Sequence, residues 1–185
     1  MPDVFTYGWP EPRSTWRTGP FGGIPLPVQL GGGLAAVALG AARHAIDELV
    51  EIATANIPTG TRASLRERPL AQLQLGQAEG LLRAARAYLY EGVDEIWRRG
   101  AAGAPFDVQA RAAARLSSVT AAKLAAQAVD LVHDAAGMNA VQTSGAIQRC
   151  WRDLHTITQH VILSTGRFEV VGRLLFGLPA GSPLI

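Results

Sequence analysis

Apolar residues recur every three or four positions through most of this 185-residue chain. That spacing places them on one face of an α-helix, so each such stretch predicts a helix with a buried stripe. One stretch covers about residues 34–56, and another begins after Asp107 and ends at Gly137. The stripe of the first comprises Leu34, Val37, Ala38, Ala41, Ala45, Leu49 and Ile52. The stripe of the other comprises Val108, Ala112, Leu116, Val119, Ala122, Ala126, Val129 and Val132. The pattern predicts an all-α fold.

Prolines, glycines and a capping aspartate divide this pattern into separate helices. Pro58 and Gly60, within "NIPTG", end the first helix. Proline is favoured in the first turn of a helix, so Pro69 predicts the start of a second helix. This helix runs to about residue 99, with Gly100 as its C-terminal cap. Asp107 can accept the free amide hydrogen bonds at the start of the third helix. Four long helices with short or moderate links favour an up-down antiparallel four-helix bundle.

The fourth predicted helix lies in "RCWRDLHTITQHVILSTGRFEVVGRLL", residues 149–175. Its apolar stripe comprises Leu154, Ile157, Val161, Phe168, Val171 and Leu175. His155 and His160 are five positions apart, about 140° around a helix, so both do not face one site equally. We expect His155 to be structural or to lie at a subunit contact. His160 lies beside the stripe, where it is either a packed structural histidine or a group that moves protons near neutral pH.

Residues 1–30 have a different composition from the rest of the chain. Six prolines stand there among glycines and aromatic residues. Because proline fixes φ and lacks the amide donor, this segment is predicted to be irregular, as extended loop or edge strand.

The composition excludes several classes of function. A net charge of +2 predicts no basic surface for nucleic acid, and the single cysteine, Cys150, excludes an internal disulfide and a cysteine-based zinc site. No histidine and carboxylate spacing predicts a metal site of any kind. The first residues lack the pattern of a signal peptide, and the longest apolar stretch is too short to span a bilayer. We therefore expect a cytoplasmic protein with no membrane contact.

Three stretches resemble the C-terminal helical domain of the acyl-CoA dehydrogenase superfamily. "LRERPLAQLQLGQAEGLL" is similar to the family's helix whose arginine and, eleven residues later, glutamine contact the flavin, here Arg66 and Gln77. "HDAAGMNAVQ" stands where the family has a glycine-rich turn against the cofactor, here at Gly137, and fifteen residues later comes Arg152 of a Trp-Arg-Asp triplet. The resemblance implies that these four residues bind flavin. Arg152 and Asp153 alternatively form a buried ion pair that holds the turn before the fourth helix.

The position of the family's catalytic base departs from the dehydrogenase pattern. The dehydrogenases carry a glutamate nine residues after that arginine, whereas this chain has Val161 there, preceded by His160. A histidine at this place resembles the flavin-dependent monooxygenase branch, whose members take reduced flavin from a separate reductase and react it with oxygen. The resemblance therefore implies that His160 is catalytic. Glu91, in "LYEGVDEIW", resembles a dehydrogenase segment but lies inside the second helix, so we expect it to be a solvated residue.

The resemblance also implies how the chain is organised. Residues 1–30 are predicted to be a remnant of the family's middle β-domain and its connector, and residues 31–185 the C-terminal helical bundle domain. The implied function is that of the C-terminal domain of a two-component monooxygenase or hydroxylase that uses reduced FAD or FMN. The departures from the glycine-rich turn at Met138 and Ala140 make FMN or a shifted FAD more compatible. The implied partners are further copies in a tetramer, a flavin reductase and a chain that carries the remaining domains. The alternatives are an acyl-CoA dehydrogenase-like oxidoreductase and a non-catalytic helical oligomerisation fragment.

Overall fold

The structure, a computed structural model, describes residues 19–55, 57–58, 60 and 62–182. Within this part the chain forms α-helices and short 3-10 helices, and none of it forms a β-strand. The α-helices are α1 (Leu26–Ala55), α2 (Pro69–Ala101), α3 (Val108–Ala136), α4 (Ala146–Ile157) and α5 (Gly166–Leu175). The 3-10 helices are Pro20–Gly23, Leu65–Glu67 and Gly137–Val141. No helix in the described part combines the length and apolar character needed to cross a membrane.

Helix α3 is the centre of the fold, because it packs against α1, α2, α4 and α5. Its predicted stripe is buried along most of its length, at Ala112, Val119, Ala122, Ala126, Val129 and Val132. The start of α1, the end of α2 and the start of α3 meet at one end of the bundle, where Val28, Ile96 and Ala114 belong to one apolar cluster. The three long helices α1, α2 and α3 therefore alternate in direction. The predictions of an all-α fold and of an up-down bundle are confirmed.

Helix α1 at least partly buries most of the predicted stripe, including Ala38, Ala45 and Leu49, but its buried face differs from that stripe in part. Val37, assigned to the stripe, is 60% exposed, whereas Ala35, Leu39 and Ala42 are buried. Alanine and other apolar residues occupy most of the circumference of this helix, so the spacing alone does not identify every buried position. Packing against α3 decides which positions of α1 are buried.

The chain before α1 is more regular than predicted. α1 begins at Leu26, well before the predicted start near Leu34, and Pro20–Gly23 is a 3-10 turn, so the expected extended conformation is wrong for residues 20–30. The amides of Val28 and Gln29 donate to the carbonyl of Pro25 at 3.0 and 3.1 Å. Proline is compatible with a first helical turn because amides there have no partner within the helix. Residues 1–18 of the predicted irregular segment lie outside the described residues.

The end of α2 also differs from the prediction. The helix continues to Ala101, and the glycine with positive φ after it is Gly103, at 63°, not Gly100. Gly100 has a packing role, since a Cβ there would lie 2.8 Å from the carbonyl oxygen of Pro20. Gly100 is therefore required by its contact with the segment around Pro20, and not for capping the helix.

The predicted fourth helix is two helices, and His160 lies between them. α4 ends at Ile157, and residues 158–165, which we name the His160 turn, form successive turns before α5. The hydroxyl groups of Thr156 and Thr158 donate to backbone carbonyls three or four residues earlier. Hydroxyl side chains of this kind compete with the helical ladder and favour its interruption.

The interruption changes which residues are buried. Val161, which the helical spacing assigned to the stripe, is 50% exposed, whereas Ile162 and Leu163 are 3% and 0% exposed and belong to the core. The buried apolar positions in the His160 turn therefore lie one and two residues after the position that helical spacing predicts. The placement of His160 within a continuous helix is wrong for the same reason.

Candidate functional site

The first group of predicted site residues, Arg66, Gln77 and Gly137, lies toward one end of the bundle, which we name the Gly137 end. Gly137 follows α3 with φ 56° and ψ −130°, a conformation available mainly to glycine, and its N–H donates to the carbonyls of His133 and Asp134. A Cβ built on Gly137 would meet no atom within 4 Å. The backbone here is therefore open to the approach of another group.

Arg66 lies at the same end, in the 3-10 helix that precedes α2. The hydroxyl and amide of Ser64 donate to the carboxylate of Glu67 at 2.7 and 2.8 Å, and these bonds lower the pKa of that carboxyl. The carbonyl of Arg66 accepts a hydrogen bond from the side chain of Gln72 at 3.0 Å. The side chains of Arg66 and Gln77 are exposed. Gln77 is eight residues into α2 from Pro69, which corresponds to about 12 Å along the helix axis.

Arg152 is on an exposed face of α4. Its Nε is 3.9 Å from the Asp153 carboxylate, and the two side chains are 58% and 55% exposed. The alternative of a buried ion pair is therefore wrong, because neither group is desolvated. The guanidinium remains available to a partner outside the described residues, and its predicted flavin contact stays a prediction.

The other members of the Trp-Arg-Asp region form a packing contact between α3 and α4. The indole N–H of Trp151 donates to the Asp130 carboxylate at 2.8 Å, and His155 Nε2 lies 2.8 Å from the same oxygen. The Trp151 ring also lies 4.5 Å from the His155 ring and 5.3 Å from the His133 ring, measured between centroids. This geometry agrees with the structural role expected for His155.

His160 is exposed in the His160 turn, and its ring is tied to the backbone. The amide of Ile162 donates to His160 Nδ1 at 3.2 Å, and the amide of Leu163 donates to the His160 carbonyl at 2.8 Å. An Nδ1 that accepts a hydrogen bond carries no hydrogen, so the neutral ring holds its hydrogen on Nε2. The arrangement presents Nε2–H as a donor on the side of the ring away from the backbone.

A residue that the sequence interpretation did not single out supports this turn. Arg115 of α3 is 3% exposed and donates from Nη1 to the carbonyl of Ile162 at 3.1 Å. Burial, together with the positive charge of the nearby Arg167, lowers the pKa of its guanidinium to about 10. The group remains charged at neutral pH. The signal was present in the sequence: Arg115 lies three positions after Ala112 and four before Val119, on the buried stripe itself.

The structure separates the predicted site residues into two places. Arg115, which contacts the His160 turn, and Gly137 are at opposite ends of α3, 22 residues apart, which corresponds to about 33 Å along its axis. Arg66 and Gln77 are on the side of Gly137, and His160 is on the side of Arg115. Among the described residues no group of three or more metal-ligating side chains is close enough to hold a metal ion.

Comparison with known proteins defines the class to which this bundle belongs. Residues 32–165 match the family model described as "Acyl-CoA dehydrogenase, C-terminal domain", so the chain belongs to that family. Within it, the chain is 35% identical over 144 residues to the indole-3-acetate monooxygenase of Pseudomonas putida, a match that covers 78% of this chain and 37% of that protein. A pigment production hydroxylase of Rhodococcus erythropolis is 36% identical over 99 residues, covering 54% of this chain and 25% of the relative. The predicted resemblance to the monooxygenase branch is confirmed.

Solved structures share the fold. The 3-HSA hydroxylase from Rhodococcus sp. RHA1 superposes with a TM-score of 0.81 at 24% identity over 92% of this chain and 44% of that one. XiaF from Streptomyces sp., solved in complex with FADH2 and glycerol, gives a TM-score of 0.83 at 21% identity over 92% of this chain and 45% of that one. The chain thus spans less than half the length of each of these relatives.

Proposed function

We propose that this chain is the C-terminal helical part of a flavin-dependent monooxygenase of the two-component type, which uses reduced flavin and oxygen to hydroxylate an organic substrate. The observation that carries the proposal is the His160 turn, where an exposed imidazole with a defined tautomer stands immediately before Val161, the residue at the position of the dehydrogenase glutamate. The names of the relatives support it, since they are monooxygenases and hydroxylases.

His160 is the residue that handles the proton in this proposal. The reduced flavin, when bound, supplies the electrons that activate oxygen. With Nδ1 held by the Ile162 amide, Nε2–H is the group that donates a hydrogen bond toward the reacting oxygen or the substrate hydroxyl. General acid–base catalysis by a positioned histidine contributes on the order of 10²- to 10⁴-fold to the rate of a step.

The Gly137 end is proposed to bind the phosphate part of a flavin. The open backbone at Gly137 permits close approach, and Arg66 supplies a cation at the same end of the bundle. Gln77 offers an exposed amide further along α2. Met138 is 80% exposed beside Gly137, where the family has glycine, and this favours FMN or a displaced FAD over the usual FAD position.

One chain is not expected to enclose a flavin by itself. The Gly137 end and the His160 turn are at opposite ends of α3, and each is open on one side. Ligand sites in proteins bury most of the ligand surface. We therefore propose that the site is completed by further copies, in a tetramer, and by the domains that the relatives carry outside the matched region, with a flavin reductase as the source of reduced flavin.

The dehydrogenase alternative lacks a base in the required place. Val161 cannot accept a proton, and Glu91 is an exposed residue in the interior of α2. Exposed apolar side chains on α2, such as Val93 and Trp97, are compatible with the oligomerisation alternative, and they are equally compatible with a bundle that assembles as part of the enzyme.

The test compares His160→Ala with the parent in an enzyme that also contains the domains that the relatives carry outside the matched region. A flavin reductase supplies reduced flavin, and indole-3-acetate serves as the probe substrate because one relative is named for it. We expect flavin binding to be nearly unchanged and the ratio of hydroxylated product to hydrogen peroxide to fall on the order of 10²-fold.

Two controls bracket this result. Glu91→Gln should leave product formation unchanged. If a folded Glu91→Gln variant loses product formation, the dehydrogenase alternative is favoured. The isolated chain should bind flavin only weakly in a fluorescence titration. If His160→Ala couples oxygen to product as well as the parent does, the role assigned to His160 is wrong.

A further inference from the structure

A buried guanidinium on α3 is connected to the imidazole of His160 through the backbone of one residue, Ile162. Arg115 Nη1 donates to the carbonyl of Ile162 at 3.1 Å, and the amide of the same residue donates to His160 Nδ1 at 3.2 Å. Arg115 and His160 are 45 residues apart in sequence. The two bonds therefore join the central helix to the His160 turn across the fold.

Helix α1 has a glycine where Arg115 needs room. A Cβ on Gly31 would lie 3.3 Å from Arg115 Nη1 and 3.3 Å from Ser118 Oγ, closer than ordinary contact. Gly31 is inside a helix, where glycine costs about 0.5–1 kcal/mol relative to alanine. The guanidinium occupies the space that a side chain at Gly31 would need, and this explains the glycine. The packing of α1 against α3 is therefore adapted to Arg115.

We propose that Arg115 is a positioning residue for His160: by holding the Ile162 carbonyl it orients the Ile162 amide toward Nδ1 and so keeps the hydrogen of the neutral imidazole on Nε2. This inference rests on the proposed function for its catalytic meaning, but the tautomer itself is a property of the folded chain without flavin.

The physical basis is that Ile162 is fixed on three sides. Its side chain is buried in the core, its carbonyl is held by a charged donor, and its amide points at the imidazole. Hydrogen bonds from charged donors are stronger than neutral ones, and burial removes competing water. Without the guanidinium, the Ile162 carbonyl loses its partner and the peptide unit between Ile162 and Leu163 can rotate. Because the Ile162 amide belongs to the adjacent peptide unit, its orientation toward His160 Nδ1 is then no longer fixed.

The test measures the ring ¹⁵N resonances of His160 in this chain by long-range ¹H–¹⁵N NMR at a pH where the ring is neutral, with His160→Gln used to assign them. The parent should show separate Nδ1 and Nε2 resonances typical of the Nε2–H tautomer. Arg115→Met should make the two resonances converge toward a tautomer mixture, and Arg115→Lys, which keeps a charged donor, should retain more of the separation.

Two further variants make the result specific. Ser118→Ala changes the same buried face of α3 without touching Ile162, so it should leave the His160 resonances unchanged. Gly31→Ala crowds Nη1 without removing the charge, so it should shift them in the direction of Arg115→Met. His155 is held by Asp130, and its resonances should not respond to any of these changes.

The outcomes are decisive in each case. A folded Arg115→Met chain, checked by circular dichroism, with an unchanged His160 tautomer overturns the proposal; if that variant does not fold, an unchanged tautomer in Gly31→Ala does so. If the tautomer changes but the completed enzyme carrying Arg115→Met still couples oxygen to product normally, Arg115 positions the ring as inferred, and the catalytic role proposed for His160 fails instead.

Discussion

The Gly137 end and the His160 turn are both places where a helix stops and a candidate site residue follows, but they are built differently. At the Gly137 end, the stop is local: a glycine with positive φ follows α3 and its amide bonds to carbonyls three and four residues earlier. At the His160 turn, no glycine ends α4, and the turn is held by Arg115, which is 47 residues away from Ile162.

This difference explains why the two regions were interpreted with different success. A helix end that depends on one residue type is visible in the sequence, and the end of α3 at Gly137 was predicted correctly. A turn that depends on a distant buried side chain is not visible there, because helical apolar spacing continues through it. The same difference predicts how much unfolding free energy each region loses on mutation. The loss should be largest where a core side chain of the His160 turn is removed, and smaller for changes at the Gly137 end.

The largest effect is expected from Leu163→Ala in the His160 turn. Leu163 is fully buried in the main core, and removing such a side chain costs about 2–5 kcal/mol of unfolding free energy through lost burial and a residual cavity. Val161→Ala is the matched control, since Val161 is half exposed and its truncation should change stability by less than about 0.5 kcal/mol.

Urea denaturation followed by circular dichroism measures both variants. The continuous helix predicted from the spacing gives the opposite order, with Val161 in the stripe. A larger loss for Val161→Ala than for Leu163→Ala would therefore show that the His160 turn does not exist as described.

An intermediate effect is expected from Gly137→Ala. The backbone at Gly137 is in a region that residues with a Cβ rarely adopt, so alanine should lower the unfolding free energy by about 1–3 kcal/mol, although no atom is near enough to clash. Gly76→Ala is the control on α2: it is a helical glycine with open space around it, and alanine there should raise stability by about 0.5–1 kcal/mol.

Chemical denaturation of the two glycine variants gives opposite signs if the conformation at Gly137 is correct. Equal stabilisation of both would mean that the end of α3 is an ordinary helical residue, and the comparison between a local and a non-local turn would fail.

The smallest effect is expected at the surface turn that carries Arg66. Ser64 lowers the pKa of Glu67 in the folded state, so the carboxylate contributes stability above its unfolded pKa near 4.5, and that contribution is lost as the pH falls through the lower folded value. Glu67→Gln should therefore make stability slightly less sensitive to pH below about 4.5. Thermal melts of parent and variant between neutral and acidic pH measure the difference.

The control is Glu51→Gln, the same substitution at an exposed residue of α1, which should leave the pH dependence as in the parent. Identical pH profiles for Glu67→Gln and the parent would contradict the hydrogen bonds from Ser64 to Glu67.

Much of the fold could be predicted because helical periodicity is a local property. The stripe of α3, the start of α2 at Pro69 and the capping of α3 by Asp107, whose carboxylate accepts from the Ala110 amide at 2.8 Å, follow from nearby residues alone. Most of the predicted stripe of α1 is at least partly buried as well, but the exposure of Val37 and the burial of Ala35, Leu39 and Ala42 could not be predicted, because apolar residues occupy most of the surface of this helix. The packing role of Gly100 could not be predicted either, because its contact is Pro20, eighty residues earlier.

By itself, the sequence determined that this protein is a helical bundle, that it resembles one flavoenzyme family and that a valine preceded by His160 replaces the dehydrogenase base. These are matters of residue identity and of spacing within a few turns of helix. The tertiary structure alone decided that His160 lies in a turn between two helices, that its Nδ1 faces the Ile162 amide and that Arg115 holds the carbonyl of the same residue. The physical reason is that these hydrogen bonds join groups brought together only when α3 packs against the end of α4, and no local pattern records that contact.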